Sequence, residues 1–136
     1  MVCIPTDTVY GLAASVSCNE AINEVFIIKN RSEKSPIPVL INSENQLSLY
    51  VDDFPEMARS LAREFWPGSL TIVLRKSPRL PDTLSGGLDT AGFRVPAHDV
   101  PRLLCSTTGS TTCAYATGAR SNQNPALIMF VCATCV

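Results

Sequence analysis

Val2-Cys3-Ile4-Pro5-Thr6-Asp7-Thr8-Val9-Tyr10-Gly11-Leu12 opens as a strand and closes as a polar turn. Proline fixes φ, so Pro5 suits the end of a strand formed by Val2-Cys3-Ile4. Two threonine hydroxyls, a carboxylate and a phenol follow before Gly11, whose conformational freedom lets the chain turn away. Such a concentration of hydrogen-bonding groups at a strand end is costly to bury unless something satisfies it. Two arrangements do so: a turn in which Thr and Asp bond their own backbone, or a site where a polar ligand takes those bonds.

Beyond this stretch, strand and helix signals alternate as in a mixed α/β sheet. Asn19 is an N-cap for a helix running from Glu20 to about Lys29, with Ala21, Ile22, Val25, Phe26 and Ile28 as its apolar face. Pro36-Ile37-Pro38-Val39-Leu40-Ile41 is a short buried strand entered through prolines. A second helix starts at Pro55, where the missing N–H costs nothing, and packs through Ala58, Leu61, Ala62 and Phe65. Trp66-Pro67-Gly68 stops it. Leu70 to Leu74 is the next strand, ending at Arg75 and Lys76. Ser77 to Leu88 reads as a loop rich in Pro and Gly, Gly92 to Val95 as a strand, and Val100 to Cys105 as a short helix. There is no internal repeat and no linker.

A chain of 136 residues, 46% hydrophobic and 17% charged, is sized and composed for one globular domain with its own core. A net charge of −1 offers no general attraction for polyanions, so nucleic-acid affinity would need a local patch. Nothing at the start reads as a signal peptide, and no apolar run approaches the roughly twenty residues of a membrane helix. A cytoplasmic protein is expected. The six cysteines are then expected as free thiols. Cys132-Ala133-Thr134-Cys135 has the spacing of half a zinc site, but no second pair matches it, and no metal is expected there.

Lys29 and Arg31 sit at a helix C-terminus, where cations complement the dipole, and by position alone they read as solvated charges. Arg94, between Phe93 and Val95 on an apolar strand, needs a partner, and within the fold Asp89 and Asp7 are the candidates. Trp66 is expected to pack as core, with Gly68 permitting the turn. His98 is expected at the surface. No nucleophile–base set stands out, so no residue is assigned as catalytic.

Four blocks together carry a resemblance: Pro5 to Leu12, Ile28-Lys29-Asn30-Arg31, Phe65-Trp66-Pro67-Gly68-Ser69-Leu70-Thr71, and Gly87 to Pro96. In this order and at these spacings they resemble the YrdC-like family, whose best-known members are the L-threonylcarbamoyladenylate synthases. The resemblance implies an α/β (α+β) fold with a twisted mixed sheet flanked by helices in a single domain, 2–136. It covers about residues 2–110 and leaves 111–136 as a divergent tail. It also implies a threonylcarbamoyl-AMP synthase activity joining ATP, L-threonine and bicarbonate. The product serves the downstream threonylcarbamoyl transferase complex that modifies adenosine 37 of tRNA. Carried over residue by residue, it places Thr6, Pro38, Arg94 and Ala114 around the threonine, Arg94 by its fork on the carboxylate. Lys29, Arg31 and Thr90 border the ATP, with Mg2+ expected on the phosphates, held by nucleotide and water.

The chain departs from the family pattern at both ends, which reads as truncation. Family domains begin with a helix and a Gly-Gly-led strand before the Pro-Thr block, and here Met1 stands close before Pro5. Past Ser110, an apolar strand should lead to Ser-Ala-Asn, completing the nucleotide set; Ala116 and Gly118 fall at the Ser and Asn positions and offer no side-chain donor or acceptor. That pattern predicts threonine binding kept and ATP binding lost. The segment Ala126 to Cys132 reads as an exposed β segment prone to aggregation. A different class of function is a non-catalytic double-stranded RNA- or tRNA-binding module, which would bind tRNA without ATP and with a steep salt dependence.

Overall fold

The computed structural model describes residues 1–32 and 34–107, together with the strand backbones at 112–116 and 130–132. Seven strands form one mixed sheet in the order β1-β2-β6-β3-β5-β4-β7. They are β1 (Val2–Ile4), β2 (Gly11–Ser15), β3 (Val39–Leu40), β4 (Thr71–Arg75), β5 (Thr90–Arg94), β6 (Thr112–Ala116) and β7 (Phe130–Cys132). Pairing is parallel for β3 with β5 and for β4 with β7, and antiparallel elsewhere. Four helices accompany it, α1 (Asn19–Ile28), α2 (Glu56–Phe65), α3 (Asp82–Ser85) and α4 (Asp99–Thr107), with a 3-10 helix at Glu44–Leu49.

β1 ends before Pro5 as its proline dictates. Gly11, expected to turn the chain away, instead opens β2: Ile4 pairs with Gly11 and Cys3 with Leu12, so the reversal is made by residues 5–10. Here β2 is a strand that the alternation of polar and apolar residues hid, because Leu12-Ala13-Ala14 is apolar throughout.

Helix α1 is capped one residue earlier than expected. Ile22 N–H donates to the Cys18 carbonyl at 3.1 Å, which makes Cys18 the N-cap, and no side chain caps the helix. Ile22, Val25 and Phe26 are buried, on one face at the i, i+3, i+4 spacing. Ile28, two residues past Phe26, falls on the other side of a 3.6-residue turn and is exposed. In α2, Ala58 and Ala62 carry the burial. Phe65 at its end stays exposed, and Trp66 takes the core contact, donating its Nε1–H to the Leu70 carbonyl at 2.8 Å.

Strand β3 is shorter than the expected Pro36–Ile41, because Pro36 and Pro38 have no N–H for a ladder. Ile37 N–H bonds the Leu84 carbonyl at 2.9 Å instead, and Ile41 N–H bonds the Arg94 carbonyl at 3.0 Å. The expected loop 77–88 contains α3. Pro81 precedes its first turn, the buried Leu80 and Leu84 anchor it, and Gly86 ends it in the left-handed region at φ 63°.

One large cluster fills the sheet face that carries Ala14, Val39, Ile72, Leu74, Ala91 and Phe93, and α1 closes on it through Ile22, Val25 and Phe26. A smaller cluster of Ile4, Ala13 and Leu40 lies on the other face, covered by Leu104 of α4. Among the described residues, no helix is long and apolar enough to cross a membrane.

Candidate functional site

Residues paired across neighbouring strands face the same way, and each strand alternates with a period of two. Leu40 pairs with both Arg94 and Thr112, Gly92 with Val73, Thr90 with Arg75, and Ala13 with Ala114. Thr90, Gly92 and Arg94 therefore share the face opposite the main core, with Leu40 and Ala13, and positions 112 and 114 fall on that face of β6. Pro38, two residues before Leu40, joins them: a Cβ added to Gly92 would lie 3.9 Å from the Pro38 Cβ and 2.9 Å from Thr71 Cγ2. The middle of this face is thus floored by small residues. Thr90 and Arg94 stand roughly 13 Å apart along β5, at about 3.3 Å per residue. Thr71 Oγ1, buried beside Gly92, has no hydrogen-bond partner among the described residues.

Arg94 is buried at 6% exposure, and its guanidinium is held from three directions. Nε–H donates to the Gly68 carbonyl at 2.8 Å, Nη1 to Thr8 Oγ1 at 3.3 Å, and Nη2 lies 2.8 Å from both carboxylate oxygens of Asp7. Of the two internal partners the sequence allowed, Asp7 is the one used. Gly68 is placed for this: its N–H bonds the Val95 carbonyl at 2.8 Å, and a Cβ there would sit 2.4 Å from the Phe65 carbonyl oxygen.

The polar turn closes on itself as well. Thr6 Oγ1 donates to the Val9 carbonyl at 2.6 Å and accepts from the Thr8 and Val9 N–H groups at 3.3 and 3.2 Å. It also lies 3.1 Å from Thr8 Oγ1. A threonine wrapping its own turn in this way is the local arrangement open to the sequence from the start.

Among the candidate residues, Pro38, Thr90, Arg94 and position 114 are brought onto one face, and Thr6 is linked to Arg94 through Thr8. Lys29 and Arg31 are not in that row, because α1 packs on the opposite face. They leave its end through a Schellman turn. Asn30 takes the left-handed conformation at φ 46°, its N–H bonds the Ile27 carbonyl at 3.0 Å, and Arg31 N–H bonds Phe26 at 3.0 Å. Both residues make further interactions where they stand.

His98 accepts the Val100 N–H at its Nδ1 (3.2 Å), capping α4 rather than facing the row. Cys105 is buried, with its Sγ 3.5 Å from the Leu40 carbonyl, and Cys3, Cys18 and Cys105 are free thiols. Ala116 ends β6 opposite Gly11. Gly118 and the Cys135 end of the Cys-x-x-Cys pair lie outside the described residues, as do residues 126–129 of the expected β segment. Its last residues form β7, paired with β4. The sequence reading gave no role to Gly92 or to Thr8. A glycine inside a strand marks a close approach of neighbours, and that is the signal by which Gly92 could have been found.

A family model described as telomere recombination (Sua5, YciO and YrdC) matches residues 1–130, running past Ser110. The threonylcarbamoyl-AMP synthase of Pyrococcus abyssi is 43% identical over 100 residues, covering 74% of this chain and 29% of the relative. That of Bacillus subtilis is 33% identical over 129 residues, covering 92% and 36%. The structure of P. abyssi Sua5 complexed with L-threonine matches with a TM-score of 0.79 at 40% identity, over 82% of this chain and 33% of that one. The chain thus spans about a third of the length of these relatives. With the same mixed sheet and flanking helices as these proteins, this chain belongs to the Sua5/YciO/YrdC family.

Proposed function

We propose that this chain carries a threonylcarbamoyl-AMP synthase site, with L-threonine, bicarbonate and ATP as substrates. The threonine amine and bicarbonate give a carbamate, which attacks the α-phosphate of ATP and releases pyrophosphate. Threonylcarbamoyl-AMP would then pass, in the cytoplasm, to the transferase complex that modifies tRNA. The observation that carries this reading is the row Thr90, Gly92 and Arg94 on a small-residue floor, in a chain 40% identical to a relative solved with L-threonine.

In this reading Arg94 meets the amino-acid carboxylate, Thr6 lies beside it at the turn, and Pro38 and Ala114 line the pocket. Thr90, at the far end of the row, borders the nucleotide, and the roughly 13 Å between Thr90 and Arg94 accommodates an amino acid and a phosphoryl group end to end. Lys29 and Arg31 would meet phosphate oxygens from the end of α1. Such a displacement asks little covalent work of the protein, so positioning and cationic charge over the leaving pyrophosphate supply most of the acceleration. Magnesium would accompany ATP. Such an ion would be carried by the phosphates and water rather than by a protein cage.

Ala116 and Gly118 give the nucleotide half no side-chain donors, so ATP is expected to bind more weakly than threonine. Separate calorimetric titrations with threonine and with ATP test that order. Pyrophosphate exchange into ATP, dependent on both threonine and bicarbonate, tests the chemistry; none at high protein concentration, with threonine still bound, would reduce the site to an amino-acid-binding one.

A further inference from the structure

Asp7 has no role in the reading above, yet its carboxylate is among the most constrained groups at this end of the sheet. Its side chain is 17% exposed beside an Arg94 side chain at 7%. The carboxylate does not depend on Arg94 alone, because Ala97 N–H donates to Oδ1 at 3.1 Å from the loop after β5. A guanidinium has five N–H groups. Here Nε–H is taken by Gly68, Nη2 faces both Asp7 oxygens, and Nη1 gives one bond to Thr8. Among the described residues, Nη1 keeps an N–H beyond the one given to Thr8.

The hydroxyl chain beside it has a fixed direction. Thr6 spends its proton on the Val9 carbonyl, so in the 3.1 Å contact between the two hydroxyls Thr8 is the donor. Thr8 Oγ1 therefore presents a lone pair to Nη1 and cannot turn its proton toward it. Two of the guanidinium's three neighbours, Asp7 and Thr8, are set by the turn of residues 6–9.

We propose that Asp7 is a positioning residue for amino-acid recognition: by holding Nη2 it fixes the pose of Arg94 and leaves an Nη1 N–H to meet the carboxylate of an α-amino acid. This rests on the reading of the row as an amino-acid site and deepens it. In this proposal the ligand's carboxylate is met from Nη1, with Nη2 turned to Asp7, rather than by the whole fork. Asp7 and Arg94 together carry no net charge, so orientation, not bulk positive potential, selects the ligand's carboxylate. A carboxylate that merely filled the place of the ligand until displaced would have the opposite effect on affinity.

Titration calorimetry on the full chain separates these cases, using L-threonine and L-threoninamide, which lacks the carboxylate. Asp7→Asn keeps the size of the side chain but loses its charge and one of its two oxygen acceptors. The wild type is expected to prefer threonine over the amide by about tenfold or more, as for one hydrogen bond to a charged group, and Asp7→Asn to shrink that preference to about threefold or less. A purely structural role would lower the melting temperature and leave the preference unchanged, which overturns the proposal. Tighter threonine binding in the variant also overturns it, making Asp7 a competitor of the ligand. Asp7→Glu keeps the charge but moves the carboxylate by one methylene, and reads the same ratio where the amide variant does not fold: a drop supports positioning and no change refutes it. Absence of threonine binding by the wild type would remove the amino-acid site itself, and this inference with it.

Discussion

Arg94 ties two loops to the end of a central strand, one through Gly68 and the other through Thr8 and Asp7. Taking one partner from a buried pair leaves the other charge without compensation, whereas neutralising both is far less costly. Arg94→Met is expected to destabilise the fold by about 3 kcal/mol, near the lower end for a buried pair because Asp7 keeps some contact with water. Urea denaturation of Arg94→Met, and of Arg94→Met combined with Asp7→Asn, checks this. The double variant should be the more stable of the two; a loss equal to the sum of the single variants would mean the pair is not coupled. At this scale the sequence was informative but not decisive. It named the need of Arg94 for a partner and offered two aspartates, and only the β1–β2 turn brought one of them within reach.

Helix ends and turns are where local sequence and three-dimensional context diverge. Gly86 ends α3 at φ 63°, and a Cβ there would stand 2.5 Å from the Lys34 carbonyl oxygen; Gly87, at φ 82°, has nothing within 4 Å of the same position. Both conformations strain a side chain, but only Gly86 adds a backbone clash. Gly86→Ala is expected to lower stability by about 2 kcal/mol or more and Gly87→Ala by about 1 kcal/mol. Thermal or urea unfolding of the two variants compares them directly, and equal losses would show that Lys34 yields freely. The α3 segment was read as loop because Pro81 and Gly86-Gly87 bracket too few residues to show helical periodicity. The buried Leu80 and Leu84 form that turn by packing, a tertiary cause. Ile28 shows the reverse case: it was assigned to the buried face by composition, and helix geometry turned it outward.

On the scale of the molecule, β6 decides whether there is one sheet or two. It lies between β2 and β3, pairing with both, so the β1–β2 hairpin meets the rest of the sheet through it. By contrast β7 lies at the edge, paired among the described residues with β4 alone. A chain ending after residue 110 is expected not to fold cooperatively, while one ending after residue 129 keeps a six-stranded sheet, the seven strands less β7, and a cooperative transition. Circular dichroism with thermal melts distinguishes the two, and a cooperative melt from the shorter chain would refute the linking role of β6. Threonine binding, if retained by the longer truncation, places the amino-acid half of the site within residues 1–129.

By itself the sequence determined the family and the α/β class, because those rest on local patterns: proline at the strand end, glycine and tryptophan at the stop of α2, and the four blocks in order. It also determined which side chains had to find partners, since burial of a charge or a cluster of hydroxyls has a cost whatever surrounds it. Tertiary structure alone decided who those partners are. Strand register put Pro38, Thr90, Gly92 and Arg94 on one face and α1, with Lys29 and Arg31 at its end, on the other. The turn of residues 6–9 then gave Thr6 to its own backbone and Asp7 to Arg94. The opening polar stretch proved to be a self-bonded turn, one of the two things its composition allowed, and from it Asp7 reaches across to a strand far along the chain, a pairing that no local pattern encodes.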